Sequence, residues 1–181
     1  MGNPAEPEII YHGLFISEEA TLGIKTGYQG DVVFDRKFNK SDKGMVLNQG
    51  VVTLNYIDRF ELYGSGGHAS FRSKNRFTVG GGGKVLLSEW GNVGIGLDGK
   101  YQYSPLFREY QVAFGAYYTF DYFIPYVGIK YSNIHAKKLF SNVLYGTAVG
   151  FTFSSGKWGD LNFEVQLIDE LAISFGGNIK F

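Results

Sequence analysis

The chain has 181 residues, and its 17 basic and 17 acidic residues give a formal net charge of zero. The sequence lacks the excess of positive charge that would indicate a nucleic-acid partner. Its lack of cysteine excludes disulfides, thiolate catalysis and metal sites with cysteine ligands. The sequence has 26 glycines, 13 Tyr, 16 Phe and 2 Trp but only 4 prolines, which is typical of many strands joined by short turns. No apolar run is long enough for a transmembrane helix.

Ten segments with a period of two follow one another along the sequence. Because successive side chains of a strand point to opposite faces, large apolar residues at every second position predict a two-faced strand. In the segment EYQVAFGAYYTF, for example, Val112, Phe114 and Tyr118 share one face, whereas small or polar residues occupy most of the other. Turn signals place the predicted strands at residues 20–37, 45–57, 60–72, 76–88, 92–104, 108–120, 123–134, 142–154, 160–168 and 171–181.

The connections between the predicted strands alternate in character. Tight turns occur at Asp58–Arg59, Glu89–Asn92, Asp121–Tyr122 and Ser155–Gly159, and the connections between them are mostly longer and polar. Such connections join antiparallel neighbours, so every strand is expected to pair with the next. No helical period, repeat or linker marks a second domain, so residues 20–181 are predicted to form one unit.

The chemistry of the two strand faces favours an inverted barrel. One face carries very large apolar residues on nearly every strand, and the other carries Gly, Ala and Ser with occasional charged residues. Small residues with a few paired charges suit the crowded interior of a closed barrel, whose apolar face then meets lipid. The segments are long enough for tilted membrane spans, which need about 9–11 residues. A soluble, lipocalin-like carrier with the apolar face inside is the alternative.

The predicted fold is therefore all-β, a closed antiparallel transmembrane β-barrel of about ten strands formed by residues 20–181. An even number of strands places both ends of the barrel wall on one side, which we expect to be the periplasmic side. Residues 1–19 are predicted to be an N-terminal periplasmic tail or a partly inserted segment. Within them, residues 9–17 fit a short strand as well as a segment tucked inside the barrel.

Aromatic residues gather at the predicted strand ends beside the tight turns. Trp and Tyr prefer membrane interfaces because their rings are amphipathic, so a girdle of this kind is expected of a membrane barrel. The alternative is that aromatic residues simply favour strands. The predicted interface aromatics are Tyr56, Phe60, Trp90, Phe120, Phe123, Trp158 and Phe181.

Charged residues recur on the small, polar face. If this face is the interior, these residues line the lumen and are candidates for a pore. The alternative is structural, because buried charges of mixed sign must pair with one another. Positive and negative residues are balanced, so no strong ion selectivity is expected. The predicted pore-lining residues are Lys25, Asp31, Asp35, Asp98, Lys100, Lys130, Glu164 and Lys180.

No motif indicates an enzyme, a cofactor or a metal site. The stretch GGGGKV at 80–85 lacks the spacing of a phosphate-binding loop and lies within a predicted strand, where its glycines serve as small interior residues. His12, His68 and His135 show no metal-ligand spacing. The G-x-S-x-G motif of serine hydrolases is absent from the sequence.

Five segments resemble, in order, parts of one known family. They are GNPAEP at 2–7, GYQGDVVFDR at 27–36, LNYIDRFELY at 54–63, FIPYVGIKYS at 123–132 and VQLIDELA at 165–172. Together with the closing aromatic residue, they resemble the chlamydial major outer membrane protein, a family of porins. The matches are collinear along the whole chain.

The resemblance implies a barrel in the lipid bilayer of a Gram-negative-type outer membrane, through which small solutes diffuse. It also implies a trimer or another homo-oligomer. A final strand ending on Phe181 resembles the signal that the barrel-assembly machinery reads. The motif GNPAEP directly after Met1 implies a mature chain without its signal peptide.

The chain differs from that family in its short loops and its lack of cysteine, so we interpret it as a short or shortened member. Barrels of about eight strands are filled by side chains, whereas those of about 16–18 strands leave an aqueous channel. Ten strands lie near the narrow end, so we predict porin-like passive diffusion of small solutes through a narrow lumen. The alternatives are a non-conducting structural or adhesive barrel and a shortened scaffold derived from the porin.

Overall fold

Ten strands make up the computed structural model, which describes residues 22–36, 45–56, 59–71, 74–105, 107–136, 139–155, 158–168 and 170–181. The strand bounds differ from the predicted ones by at most three residues. The predictions for residues 1–19, including 9–17, lie outside the described part of the chain. Across the described residues, no helix is long and apolar enough to cross a membrane. The strands are β1 (Leu22–Arg36), β2 (Met45–Tyr56), β3 (Phe60–Phe71), β4 (Lys74–Trp90), β5 (Val93–Tyr103), β6 (Phe107–Tyr118), β7 (Phe123–Ala136), β8 (Leu139–Ser154), β9 (Gly159–Leu167) and β10 (Glu170–Lys180).

The ten strands close into a barrel. Each strand pairs antiparallel with the next one along the chain, and β1 pairs antiparallel with β10. At the closure, Lys25 lies opposite Lys180 and Arg36 lies opposite Glu170. The start of β1 and the end of β10 therefore share one end of the barrel, here named the terminal end, and the opposite end is named the loop end. The predicted closed antiparallel barrel of ten strands is confirmed.

Two tight turns at the terminal end set the register of the strands that follow. Gly91 joins β4 to β5 with a φ of +59°, in the left-handed region that glycine adopts without steric cost. Asp121 joins β6 to β7 with a φ of +42°, which Asp tolerates better than most residues. Phe120 and Phe123 flank this second turn and exchange two backbone hydrogen bonds, of 2.9 and 2.7 Å.

Large apolar side chains dominate the outside of the barrel, and most polar side chains of the strands point inwards. In β2 the alternation is complete, because every second residue from Met45 to Asn55 is buried and the residues between them are exposed. Phe114 on β6 is 42% exposed, whereas Ser174 on β10 is 1% exposed. The predicted orientation of the two faces is confirmed. The lipocalin-like arrangement, with the apolar face inside, is excluded.

A register shift interrupts the pairing of β1 with β10 near the loop end. Val33 lies opposite Ala172, and both side chains are buried. After the shift, Asp35 lies opposite Leu171, whose side chain is exposed. The side chain of Asp35 itself is outside the described part of the structure. A bulge of this kind changes which residues of the two strands face each other, and the inward orientation of Asp35 stays a prediction.

Candidate functional site

Layers of side chains fill the interior of the barrel. Apolar clusters lie towards its two ends, and buried polar and charged side chains occupy much of the remaining space. The cluster towards the terminal end contains Leu86, Tyr117, Ile124 and Tyr126. The cluster towards the loop end, named the apolar layer, contains Val33, Met45, Leu47, Ala69, Phe107, Ile134 and Ala172.

Strand register brings a row of polar side chains together in the terminal half of the barrel. Asn55, Glu61, Lys84 and Asp98 lie opposite one another across β2, β3, β4 and β5. The Glu61 carboxylate is 3.5 Å from the Lys84 ammonium group and 3.7 Å from that of Lys25 on β1. Lys84 and Glu61 are 0% and 1% exposed. An anion between two cations keeps these buried charges compensated.

The side-chain amide of Asn55 joins Glu61 to Lys25. In the orientation that satisfies both neighbours, its nitrogen donates to Glu61 Oε2 at 3.1 Å. Its oxygen then accepts from Lys25 Nζ at 3.1 Å. The three side chains thus form a closed hydrogen-bonded and charged unit that links β1, β2 and β3.

Tyr63, two residues after Glu61 on β3, contacts two further members of this row. Lys84 Nζ lies 5.4 Å from the centre of the Tyr63 ring, at a distance where a cation is attracted to the ring face. The Tyr63 hydroxyl donates to Asp98 Oδ1 at 3.1 Å. Six residues on five neighbouring strands therefore form one buried network. We name it the Glu61 cluster: Lys25, Asn55, Glu61, Tyr63, Lys84 and Asp98.

A second network lies on the opposite wall. Tyr126 of β7, Gly150 of β8 and Glu164 of β9 form one row. The tyrosine crosses the glycine and donates to Glu164 Oε2 at 2.9 Å. Gln166 Nε2 donates to Glu164 Oε1 at 2.7 Å, and the side-chain oxygen Oε1 of Gln166 accepts from Lys130 Nζ. Both oxygens of the Glu164 carboxylate are therefore held by hydrogen bonds.

Three inward tyrosines share one arrangement. Each crosses a glycine on the neighbouring strand and donates to a carboxylate on the strand beyond. Tyr117 of β6 crosses Gly94 of β5 and donates to Glu89 of β4 at 2.9 Å. Tyr63 crosses Gly82 in the same way, and a Cβ at either glycine would overlap the ring. These glycines leave room for a large ring to lie along the wall.

Seven of the eight predicted pore-lining residues have described side chains, and all seven lie on the interior face. Lys100 and Lys180 are partly exposed, and Lys180 Nζ lies 3.5 Å from Asp160 Oδ1. Asp31 accepts two hydrogen bonds from Gln29, of 2.8 and 2.7 Å. The structure thus distributes the predicted residues among separate networks instead of one charged ring. The buried members are Lys25, Asp31, Asp98, Lys130 and Glu164.

The centre of the Glu61 cluster is missing from the residues predicted from sequence. Glu61, Tyr63 and Lys84 are buried inside the barrel, but they are not among the predicted pore-lining residues. A signal was available, because Glu61 and Tyr63 occupy alternate positions on one face of their strand. Lys84 likewise follows two glycines, Gly80 and Gly82, on the inward face of β4.

The interior is also less polar than the sequence predicts. Leu47, Phe107 and Ile134 are large apolar residues, yet all three point inwards and are buried in the apolar layer. The residues of β2 explain why this is difficult to predict. Its inward face carries Met45 and Leu47, and its outward face carries apolar residues such as Val52. A period of two cannot distinguish inside from outside when both faces are apolar.

A cavity lies beside the apolar layer. Its volume is about 30 Å³, which leaves room for about two water molecules, and it is partly open to solvent. Amide and charged side chains on its wall can hydrogen-bond water and small polar solutes. Of the predicted pore-lining residues, the cavity brings Asp31 and Lys100 together. The wall is formed by Asp31, Val33, Leu47, Lys100, Gln102, Glu109, Gln111, Gln166, Ala172 and Ser174.

The predicted interface aromatics form a band around the terminal end. Trp158 and Phe181 are 80% and 82% exposed. Phe60 and Phe123 are partly buried, and the Phe123 ring packs 5.2 Å from that of Phe153, centre to centre. The other members of the band are exposed, namely Tyr56, Trp90 and Phe120.

The described residues do not form a metal centre. No three His, Asp or Glu side chains in this part of the chain are arranged to hold an ion. His68 and His135 are exposed, and His12 lies outside the described residues. The candidate functional site is the lumen, in which the structure places the polar networks, the cavity and the apolar layer.

Comparison with known proteins shows the fold. No protein-family model matches the sequence, and no curated protein sequence matches it. An outer membrane channel from Pseudomonas putida F1 is 12% identical, with a TM-score of 0.54 over 96% of this chain and 100% of that one. The KdgM porin is 11% identical, with a TM-score of 0.42 over 87% of this chain and 99% of that one. The outer membrane protease OmpT from Escherichia coli is 9% identical, with a TM-score of 0.41 over 93% of this chain and 97% of that one.

Proposed function

We propose that the chain is an integral outer-membrane β-barrel of the porin type, whose narrow lumen passes small solutes slowly by passive diffusion. The inversion of the barrel carries this proposal, because large apolar side chains cover the outside and polar and charged side chains are buried in much of the inside. In water, burying charges and exposing large apolar side chains are both unfavourable. In a lipid bilayer, the same distribution is favourable.

Three further features support a location in a membrane. Closure between β1 and β10 pairs every strand, so no sheet edge is left for lipid to meet. The strands contain 9 to 17 residues, and a tilted membrane strand needs about 9–11. The aromatic band at the terminal end is what a membrane interface favours.

The interior supports a narrow passage. Ten strands enclose a lumen near the size at which side chains fill a barrel, about eight strands. The Glu61 cluster occupies part of this space and contains two cations, Lys25 and Lys84, and two anions, Glu61 and Asp98. Because these charges balance, we expect weak ion selectivity.

Extraction and electrophysiology test the proposal in two steps. The chain should be insoluble without detergent, and its folded form should change mobility on SDS gels after heating. In planar bilayers, the folded barrel should show small, weakly selective conductance. Full solubility in plain buffer would reject the membrane location, and large steady channels would reject the narrow lumen.

A non-conducting structural or adhesive barrel is the second candidate. The apolar layer favours it, because strands on opposite walls contribute side chains to one buried cluster. In this case, bilayer recordings would stay silent over many insertions of correctly folded barrel. Reproducible small conductance steps would decide for the porin-like function.

Kinship with the chlamydial major outer membrane protein family, as a short or shortened member, is part of the same proposal. It is supported by the collinear segments 27–36 on β1, 54–63 across β2 and β3, 123–132 on β7 and 165–172 across β9 and β10. The first matching segment, 2–7, lies outside the described residues. Superposition on a solved porin of that family is the test. The four segments should coincide with their counterparts on equivalent strands, and a different order of strands would reject the kinship.

The proposed partners are the lipid bilayer, the barrel-assembly machinery and further copies of the chain. Phe181 follows β10, and its exposed ring is available for recognition during assembly. Phe181→Ala should lower the amount of folded barrel in the outer membrane of cells and leave folding into detergent unchanged.

A trimer or another homo-oligomer should appear in light scattering of the detergent-solubilised protein, and a monomer would contradict that expectation.

A further inference from the structure

The apolar layer lies where it can close the lumen at the loop end. Its seven residues come from six strands and form one buried cluster. In the ring of ten strands, β1 and β6 are five strands apart in either direction, so they form opposite walls. Phe107 on β6 and Ile134 on β7 therefore join the residues of β1, β2, β3 and β10 across the lumen.

Phe107 has the largest side chain of the apolar layer, and its backbone is held in a tight turn. The Ser104 amide donates to the Phe107 carbonyl at 2.8 Å, and the Phe107 amide donates to the Ser104 carbonyl at 3.2 Å. Ser104 is itself buried. These bonds close the connection between β5 and β6, so the aromatic ring projects into the lumen from a fixed position.

The space beside the apolar layer has a different chemistry. The cavity includes Val33, Leu47 and Ala172 of the layer, but the rest of its wall is charged or polar, as at Lys100 and Glu109. An ion that reaches these polar side chains must shed the rest of its water to pass between apolar side chains, and narrow apolar constrictions in channels tend to empty of water. Desolvation therefore opposes the movement of ions at this level of the lumen.

We propose that the apolar layer is the gate of the lumen and that closure depends on Phe107. The proposal rests on the proposed function, because a gate acts only in a barrel that spans a membrane. It assigns the main barrier for ions to the loop end. The charged Glu61 cluster, in the terminal half, then has a structural role and a smaller effect on conductance.

Phe107→Ala tests the gate, with Phe114→Ala as the matched control. Phe114 lies on the same strand but points outwards, so its truncation leaves the lumen unchanged. In planar bilayers, we expect Phe107→Ala to raise the ion conductance several-fold over that of the unmodified chain. Phe114→Ala should leave the conductance unchanged. Equal conductance of all three barrels, each shown to be folded by heat-modifiable mobility, would overturn the proposal.

Met45→Gln tests whether the apolar layer blocks ions because it is apolar or only because its side chains fill the lumen. Gln has nearly the length and volume of Met, but its amide holds water. A gate that works by desolvation should therefore conduct ions several-fold better after this change, although the side chain remains large. Unchanged conductance of folded Met45→Gln would overturn the desolvation mechanism.

Glu61→Gln distinguishes the gate from the Glu61 cluster. If Glu61→Gln raised the conductance and Phe107→Ala did not, the Glu61 cluster would be the barrier. The proposed gate would then be rejected, but the proposed membrane barrel would not. If the unmodified chain and all variants failed to insert into lipid vesicles, as judged by protease protection, the proposed function would fail and the gate with it. A larger increase with Phe107→Ala than with Glu61→Gln supports the gate.

Discussion

Tyr126 on β7 lies so close to Gly150 on β8 that a Cβ added to the glycine would come within 2.5 Å of the phenol ring. The missing side chain allows the ring to cross β8 and reach Glu164 on β9, to which the hydroxyl donates at 2.9 Å. Tyr63 and Tyr117 are placed in the same way. In a narrow barrel, this arrangement buries a large ring along the wall and holds a carboxylate in place.

Gly150→Ala should destabilise the barrel by about 1–3 kcal/mol, because the added methyl group overpacks the site. Gly99→Ala is the control, since a Cβ at Gly99 meets no atom within 4 Å. The control should change the free energy of unfolding by less than about 1 kcal/mol, towards greater stability. Urea titration of folding into lipid vesicles measures both values. Similar values for the two variants would show that the tyrosine does not depend on the glycine.

Tyr126→Phe should cost about 1.5–3 kcal/mol, the usual range for a hydrogen bond to a charged group. The ring stays in place and only the donor to the Glu164 carboxylate is lost. Tyr131→Phe on the same strand is the control, because Tyr131 points outwards. Its free energy of unfolding should match that of the unmodified barrel in the same titration. An equal loss for both variants would contradict the assigned role of the hydroxyl.

Glu61→Gln should destabilise the barrel by about 3–5 kcal/mol, because it removes the anion between the buried ammonium groups of Lys25 and Lys84. Adding Lys84→Met should recover part of this loss. A double-mutant cycle with urea titration measures the coupling, for which we expect about 0.5–3 kcal/mol. Strictly additive losses would mean that the two charges do not stabilise each other.

Phe114→Arg should cost about 2–4 kcal/mol, the range for a cationic side chain facing lipid near the middle of a bilayer. Phe120→Arg is the control at the terminal end, where the same change should cost only about 0–1 kcal/mol. Both phenylalanines are exposed on the outer surface, so the comparison isolates depth in the membrane. Equal costs in a folding titration would place Phe114 outside the lipid-facing band.

The strands could be predicted because their signals are local. Phe114 and Tyr118 alternate with smaller residues within one segment, and Gly91 and Asp121 mark turns by their own conformational preferences. The inward orientation of Lys25 follows from the same alternation. None of these features requires knowledge of which strands become neighbours.

The partners in the interior could not be predicted in the same way. Glu61 on β3 contacts Lys25 on β1 across β2, and Tyr126 on β7 reaches Glu164 on β9 across β8. Such pairs depend on the register of each hairpin, and one residue of slip would turn every side chain to the other face. The pairing of β1 with β10 illustrates this dependence, because one extra residue of β1 between Val33 and Asp35 displaces the register.

By itself, the sequence determined ten two-faced strands, their antiparallel order and an apolar exterior, because alternation and turn residues act over a few neighbouring positions. Only the tertiary structure decided that Glu61 lies between two lysines and that Phe107 meets residues of the opposite wall. Those contacts join residues far apart in the chain. They exist only once β1 has paired with β10 and the barrel has closed, which fixes the distance across the lumen.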